Sequence, residues 1–310
     1  MPLVSVIVPN YCHSKYLDQR IQSILNQSFQ DFELIILDDC SPDNGASRAV
    51  IEKYRENAHV SHIIYNECNS GSPFVQWDRG MSLAQGSLIW IAESDDYCEK
   101  NLLKQLVDEF EKNRNLSYAF SLSQKVDSSG RKIKFLKTKL MNTVRLRGVD
   151  FVKRFMLYEN FCINASACLF KKNNAKEISK AYMEYEAGGD YLFWIEMAEK
   201  GDVVVINDSL NYFRQHENKV TPRKVLLGVN CRESFRTTQY LLTHFSLTPF
   251  RKKQLLEWHW CKIHKTNFAN EEIKKELLLL WSCPEKLSFF LRMKMKLVAV
   301  LRHRLSIYLI

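Results

Sequence analysis

The apolar positions of the first hundred residues fall into short runs separated by amphipathic stretches. Val4 to Val8 is a β-branched run broken by Pro9-Asn10, the pattern of a buried strand entering a loop. Leu17, Ile21, Ile24 and Leu25 then recur at helical spacing within Tyr16 to Leu25. A second strand is predicted over Phe32 to Leu37, ending in the turn-rich string Asp38-Asp39-Cys40-Ser41-Pro42-Asp43-Asn44-Gly45. Residues 46–56 read as a helix and Val60 to Tyr65 as a third strand, and Pro73 opens a helix reaching Ala84. A fourth strand, Ser87 to Ala92, runs directly into Glu93-Ser94-Asp95-Asp96. This alternation predicts an α/β protein with a mainly parallel central sheet and helices on both faces. Ligands of such sheets bind beyond the carboxyl ends of the strands, where both acidic strings fall.

The pattern changes beyond the helix predicted at Leu102 to Lys112. Leu116 to Val126 and Cys162 to Phe170 read as strands, with a hairpin turn at Asp127-Ser128-Ser129-Gly130. Tyr191 to Lys200 reads as a helix, and Val203 to Ile206 and Leu210 to Arg214 as the last strands. From Pro222 onward the chain is helical, which divides it into an α/β part, 1–221, and a helical, basic part, 222–310.

Charge sharpens this division. The net charge is +9, with Lys and Arg concentrated in residues 251–310 while residues 31–45 and 93–99 are locally acidic. Positive charge therefore lies away from the candidate site, and no nucleic-acid partner is expected. Nine cysteines, an odd number without any CxxC pair, read as reduced thiols of a cytoplasmic protein. The start lacks the basic region of a signal peptide, and no stretch approaches the roughly 20 apolar residues of a membrane span.

Three strings carry candidate chemistry. In the first, Pro9-Asn10-Tyr11 precedes Asp38-Asp39 and Ser41; a carboxylate at a strand end can accept a pyrimidine N–H while a tyrosine stacks on the base. Capping of the next helix by Asp38 and Ser41 is the competing reading. In the second, Glu93, Asp95 and Asp96 crowd within four residues. Like charges about 4 Å apart repel by roughly 4 kcal/mol at an effective dielectric near 20, so such a cluster points to a hard divalent cation, or to a solvated turn capping the next helix. In the third, Gly188-Gly189-Asp190 opens a helix, so Asp190 either partners the helix dipole or serves as a general base. GxGxxG after the first strand, GxxxxGK[ST] and GxSxG are all absent from the sequence, which disfavours dehydrogenases, P-loop enzymes and the usual hydrolases.

Taken in order, VSVIVPNY, QSFQDFELIILDDCSPDNG, AQGSLIWIAESDDY, GGDYLFWIEMAEKG and YFRQHENKVT resemble the family 2 inverting glycosyltransferases over residues 1–220. The resemblance implies a GT-A nucleotide-sugar-binding fold with a helical C-terminal extension. It implies donor contacts from Pro9, Tyr11, Asp38, Asp39, Ser41 and Asp95, with Asp39 on the base edge. It implies Mn²⁺ or Mg²⁺ held by Asp96, Asp95, Glu93 and His216, with Asp96 the firmest ligand, and Asp190 as the base that deprotonates the acceptor. Three positions depart from the family pattern. Glu93 stands where Asp is frequent, Gly189 replaces an acid beside the base, and Trp77-Asp78 replaces Arg-Asn, with Arg79 the nearest substitute for the phosphate contacts. The processive members' membrane spans and QxxRW string are missing. The expected activity is transfer of one sugar from a nucleotide-sugar, a UDP-sugar first, to a saccharide or lipid-linked acceptor hydroxyl in bacterial surface polysaccharide or glycolipid assembly. A nucleotidyltransferase fits less well, because the loop after the first strand is neither Gly-rich nor basic. A non-catalytic nucleotide-sugar-binding or membrane-adaptor relative is the other alternative.

Residues 288–310 alternate apolar and basic positions, including Phe289, Phe290, Leu291, Leu297, Val300 and Leu301 with Arg292, Lys294, Lys296, Arg302 and Arg304. They read either as an interfacial helix at the inner face of a membrane or as a terminal helix docked on the protein.

Overall fold

The computed structural model describes residues 1–133, 142–216 and 220–305. Its first half follows the sequence pattern closely: β1 (Val4–Asn10), α1 (Ser14–Leu25), β2 (Phe32–Asp38), α2 (Ala46–Glu52), β3 (Val60–Tyr65), α3 (Pro73–Leu83) and β4 (Leu88–Ile91). A short β5 (Tyr97–Cys98), α4 (Leu102–Lys112), β6 (Leu116–Val126), β7 (Val144–Arg147) and α5 (Gly148–Phe151) follow. Then come β8 (Cys168–Lys171), α6 (Lys172–Glu177), α7 (Gly189–Glu199) and β9 (Asp202–Arg214). The remainder is helical among the described residues: α8 (Val220–Leu226), α9 (Val229–His244), α10 (Pro249–Lys265), α11 (Glu271–Leu280) and α12 (Phe289–Leu305).

All strands join one sheet in the order β3-β2-β1-β4-β8-β6-β9-β5, with β7 on the flank of β9. The pairs β1–β2, β2–β3, β1–β4 and β6–β9 are parallel. β8 runs against both β4 and β6, and β5 and β7 run against β9. β1 is buried along its whole length because both faces are covered. Val4, Val6 and Val8 face a core with Leu17 and Ile21, whereas Ile7 packs with Trp77 and Phe193 on the other side.

Three segments differ from the sequence expectation. The strand read over Cys162 to Phe170 forms only from Cys168, because Asn164 accepts the Ser166 N–H and caps a 3₁₀ turn over Ala165–Ala167. The two last strands are one, since β9 continues through irregular pairing with β6 near Ser121 and Leu122. The helix read over 46–56 ends at Glu52.

Helix α7 is apolar on every side, with Leu192, Phe193, Trp194, Ile195 and Met197 buried, as expected for a helix inside a core. Leu241, Phe245 and Leu255, from α9, its end and α10, share that same apolar cluster. The helical region is thus packed against α7, whose first turn carries Asp190.

Candidate active site at the carboxyl edge of the sheet

β1 and β2 end in register, with Asn10 opposite Asp38. Asn10 Nδ2 donates to Asp38 Oδ1 at 2.7 Å, and the Ser41 hydroxyl and N–H donate to the same carboxylate at 2.7 and 3.1 Å. Asp38 and Ser41 therefore close this turn. The N-cap of α2 is Gly45, and Asp43 before it accepts the Ser47 N–H and hydroxyl of the first turn. Cys12 and Cys40, just past the two strand ends, take left-handed φ values of 58° and 57°, a conformation that costs a non-glycine residue about 1–3 kcal/mol and gathers at functional loops. Pro9 is buried within β1, and Tyr11 beyond it is exposed.

Asp39 is buried and hydrogen-bonded. Its oxygens accept from the side-chain amides of Asn66, Asn69 and Gln76 and from the Ser70 N–H and hydroxyl, at 2.6–3.2 Å. In the structure this carboxylate fastens the 66–76 segment to the end of β2. Arg79 is exposed and donates to Asn66 Oδ1, one residue removed from Asp39.

The acidic string after β4 divides among three environments. Glu93 accepts the Trp77 indole N–H at 2.9 Å, and burial together with the neighbouring Asp95 charge pushes its carboxyl up to about 8. Asp96, 1% exposed, accepts from Asn164 Nδ2 at 2.7 Å and from the Arg214 N–H at 2.9 Å, and burial and then the Asp95 charge raise it to about 6. Asp95 turns the other way, and its Oδ2 lies 3.1 Å from His216 Nε2. His13 completes a trio: its ring nitrogen, the Asp95 carboxylate and the His216 ring nitrogen lie within 4.8 Å of one another. Glu93 and Asp96, expected beside the cation, stand outside that trio, because Trp77, Asn164 and Arg214 hold their oxygens elsewhere.

Two buried arginines balance this acidity. Arg214 donates to the Asp95 carbonyl at 2.7 Å and stacks near Tyr16, 4.5 Å away, and Tyr97, 5.3 Å away. Arg20 lies fully buried, 5.0 Å from the Trp90 ring, and its charge lowers both Glu93 and Asp96 against the effect of burial. Two imidazoles and a carboxylate suit a divalent transition ion better than Mg²⁺, which demands oxygen ligands. The donor set thus fits a divalent cation.

Asp190 stands half-buried in the first turn of α7 and accepts from Asn160 Nδ2 at 2.8 Å. Burial raises its carboxyl to about 7; the Tyr191 N–H opposes the shift and the Glu233 charge adds to it. Asn160 and Asn164 belong to one loop, so a single short segment holds both Asp190 and Asp96.

Residues 5–178 match the family described as Glycosyl transferase family 2, more than half of the chain. The chain belongs to glycosyl transferase family 2. It is 32% identical over 287 residues to the chondroitin synthase of Escherichia coli, covering 89% of this chain and 37% of that one. It is 38% identical over 104 residues to the poly(ribitol-phosphate) beta-N-acetylglucosaminyltransferase TarS of Staphylococcus aureus, 32% of this chain and 17% of that one. The chain therefore spans well under two thirds of either relative. The crystal structure of TarS 1–349 in complex with UDP-GlcNAc superposes with a TM-score of 0.58 at 19% identity, over 90% of this chain and 71% of that one. The fold is that of the GT-A glycosyltransferases.

The positions singled out above are accounted for by their neighbours. Trp77 and Glu93 are bonded to each other. No side chain fits at Gly189: a Cβ there would lie 2.3 Å from the Tyr182 carbonyl oxygen and 2.7 Å from the Phe74 ring. A carboxylate approaches the same loop from the helical region. Glu233 of α9, 7% exposed, accepts the N–H groups of Glu186, Ala187 and Gly188, the last at 2.8 Å. His13, Asn160, Asn164, Arg214 and Glu233 escaped the sequence reading. Arg214 and His216 lie two apart at the end of β9, a spacing that signals a shared face; Glu233 left no local signal.

Proposed function

We propose that this chain is an inverting glycosyltransferase that moves one sugar from a UDP-sugar to an acceptor hydroxyl. The observation that carries the reading is the joint placement of the His13–Asp95–His216 trio and the half-buried Asp190, tied together through Asp96, Asn164 and Asn160. The setting is a family 2 fold whose crystallised neighbour TarS binds UDP-GlcNAc. Tyr11 and Pro9 are proposed to line the base pocket, with Asp38, Ser41 and Asp39 shaping it. Arg79 is proposed on the phosphate side.

His13, Asp95 and His216 would hold a divalent ion, which supplies charge stabilisation for a departing nucleoside diphosphate. Asp190 takes the proton from the attacking acceptor oxygen, and Asn160 fixes the carboxylate for that transfer. A carboxyl near 7 is matched to general-base work at neutral pH, worth about 10²–10⁴ in rate. One direct displacement inverts the anomeric configuration. The 1–221 and 222–310 segments act here as one unit, since Glu233 steadies the loop before Asp190. Assembly of a bacterial surface polysaccharide, at the cytoplasmic face of the membrane, is the proposed setting; its polymer part is supported by relatives named as a poly(ribitol-phosphate) transferase and a chondroitin synthase.

The test is UDP release from UDP-GlcNAc and related UDP-sugars, with and without Mn²⁺, for the protein and for Asp190→Asn. Release that is metal-dependent and lost in the variant supports the reading. No UDP binding by calorimetry, with or without Mn²⁺, removes it.

A further inference from the structure

Beside Asp190 lies a cavity of about 350 Å³, within the range of small-ligand pockets, about 300–1,000 Å³. One wall is the loop carrying Tyr158 and Asn160; the other comes from the helical region, through Asn230 and Ser234 of α9 and Lys262 of α10. We propose that this cavity is the acceptor subsite and that it takes a neutral, hydroxyl-bearing sugar ring rather than a phosphorylated polyol. The inference rests on the glycosyltransferase reading and adds to it the place and chemistry of the acceptor.

Two observations set that chemistry. The side-chain oxygens of Asn160 and Asn230 are buried and without a hydrogen-bond partner. Asn160 cannot turn its amide around, because its Nδ2 is bonded to Asp190. Buried acceptors left unmet cost about 1–3 kcal/mol each, and only a donor satisfies them. Sugar hydroxyls can donate to them, whereas the phosphate group of a phosphorylated polyol offers only acceptor oxygens and would leave both unmet. The second observation is charge. Asp190, Glu233 and Glu159 line the cavity against Lys262 alone, and the Lys262 ammonium is already 3.3 Å from Glu159 at the exposed rim. A dianionic group placed there meets net repulsion. A ring hydroxyl seated in the cavity lies beside the carboxylate that must take its proton.

Saturation-transfer NMR on the full chain with UDP and Mn²⁺ tests this. The probes are the methyl glycosides of glucose, galactose and N-acetylglucosamine, set against ribitol 5-phosphate. The expected result is transfer to at least one neutral glycoside and none to ribitol 5-phosphate. Ser234→Trp, which fills the cavity, should weaken that binding by about tenfold or more, and Asn230→Leu by several-fold. UDP binding measured on the same samples reports whether the fold and the donor site are intact; its absence in the unmodified protein sinks the enzyme reading itself. With UDP bound, three results overturn the acceptor proposal: preferential transfer to ribitol 5-phosphate, transfer to a glycoside unchanged in Ser234→Trp, or no transfer to any neutral glycoside.

Discussion

Asn160 Nδ2 donates to Asp190 Oδ2 at 2.8 Å, and this bond ties the proposed base to the loop whose Asn164 secures Asp96. That bond holds the half-buried Asp190 carboxylate in one orientation, as the proposed base role requires. Asp190→Asn should therefore lower kcat by about 10²–10⁴ and leave UDP affinity within about twofold. The same variant should be more thermostable at pH 8. The folded carboxyl sits near 7 against an ordinary value near 3.8, so the wild-type protein loses stability as pH rises through that window. A melting temperature at pH 8 below that of wild type would contradict the burial on which the base assignment leans.

Activity should rise with pH, because the base must be ionised. Turnover at saturating donor is expected to fall about tenfold for each unit below pH 7. Glu233→Gln retains an oxygen to accept the 186–188 N–H groups but removes the negative charge that helps raise Asp190. The acid limb should then move to lower pH with only a modest change in melting temperature. An unmoved limb would confine Glu233 to a structural part.

Cation binding separates the trio from its acidic neighbours. Mn²⁺ titration followed by electron paramagnetic resonance should show losses of about tenfold or more for Asp95→Asn and His216→Ala. Glu93→Gln should bind Mn²⁺ within about threefold of wild type, since an amide oxygen can still accept the Trp77 N–H at a carboxyl already raised to about 8. The reverse ranking would place the cation at Glu93.

Local sequence pattern revealed the parallel half of the sheet because β1, β2 and β4 are short, largely apolar, fully buried runs bounded by turn residues. It failed for residues 162–167, where the Asn164 side chain offers the backbone a turn in place of a ladder. The site divides in the same way. Asp39, Asp95, His216 and Asp190 stand in strings of recognisable spacing, but which carboxylate of Glu93-Ser94-Asp95-Asp96 faces His216 depends on partners at residues 77, 164 and 214. Glu233 reaches the base from 43 residues downstream, across a helix packing that no window of sequence contains.

The helical region should be acid-sensitive. His259 is buried against Trp281, with ring centroids 4.4 Å apart, and burial and then the charge of Lys262 lower its ring to about 3. A depressed histidine contributes stability that is full above its unfolded value near 6.5 and fades as pH falls toward about 3. Tryptophan fluorescence should report loosening of this region between pH 6.5 and 4, and His259→Phe should abolish that transition. A transition unchanged in the variant would assign it to other groups.

The last helix keeps both of its sequence readings in play on different faces. Met295 is buried with Cys261 and Leu287, so α12 docks on α10, yet Phe289, Phe290, Met293 and Leu297 remain 51–83% exposed. The side chains of Val300, Leu301, Arg302 and Arg304 lie outside the described residues. No described helix is long and apolar enough to cross a membrane. An exposed apolar row among lysines and arginines fits an interfacial contact, in which aromatic burial and attraction to anionic headgroups add. Phe289→Ser with Phe290→Ser should reduce binding to vesicles of phosphatidylglycerol by about tenfold or more, while leaving the melting temperature near that of wild type because both rings are largely exposed. Equal sedimentation of both proteins with such vesicles would reduce α12 to a docked helix with a solvated face.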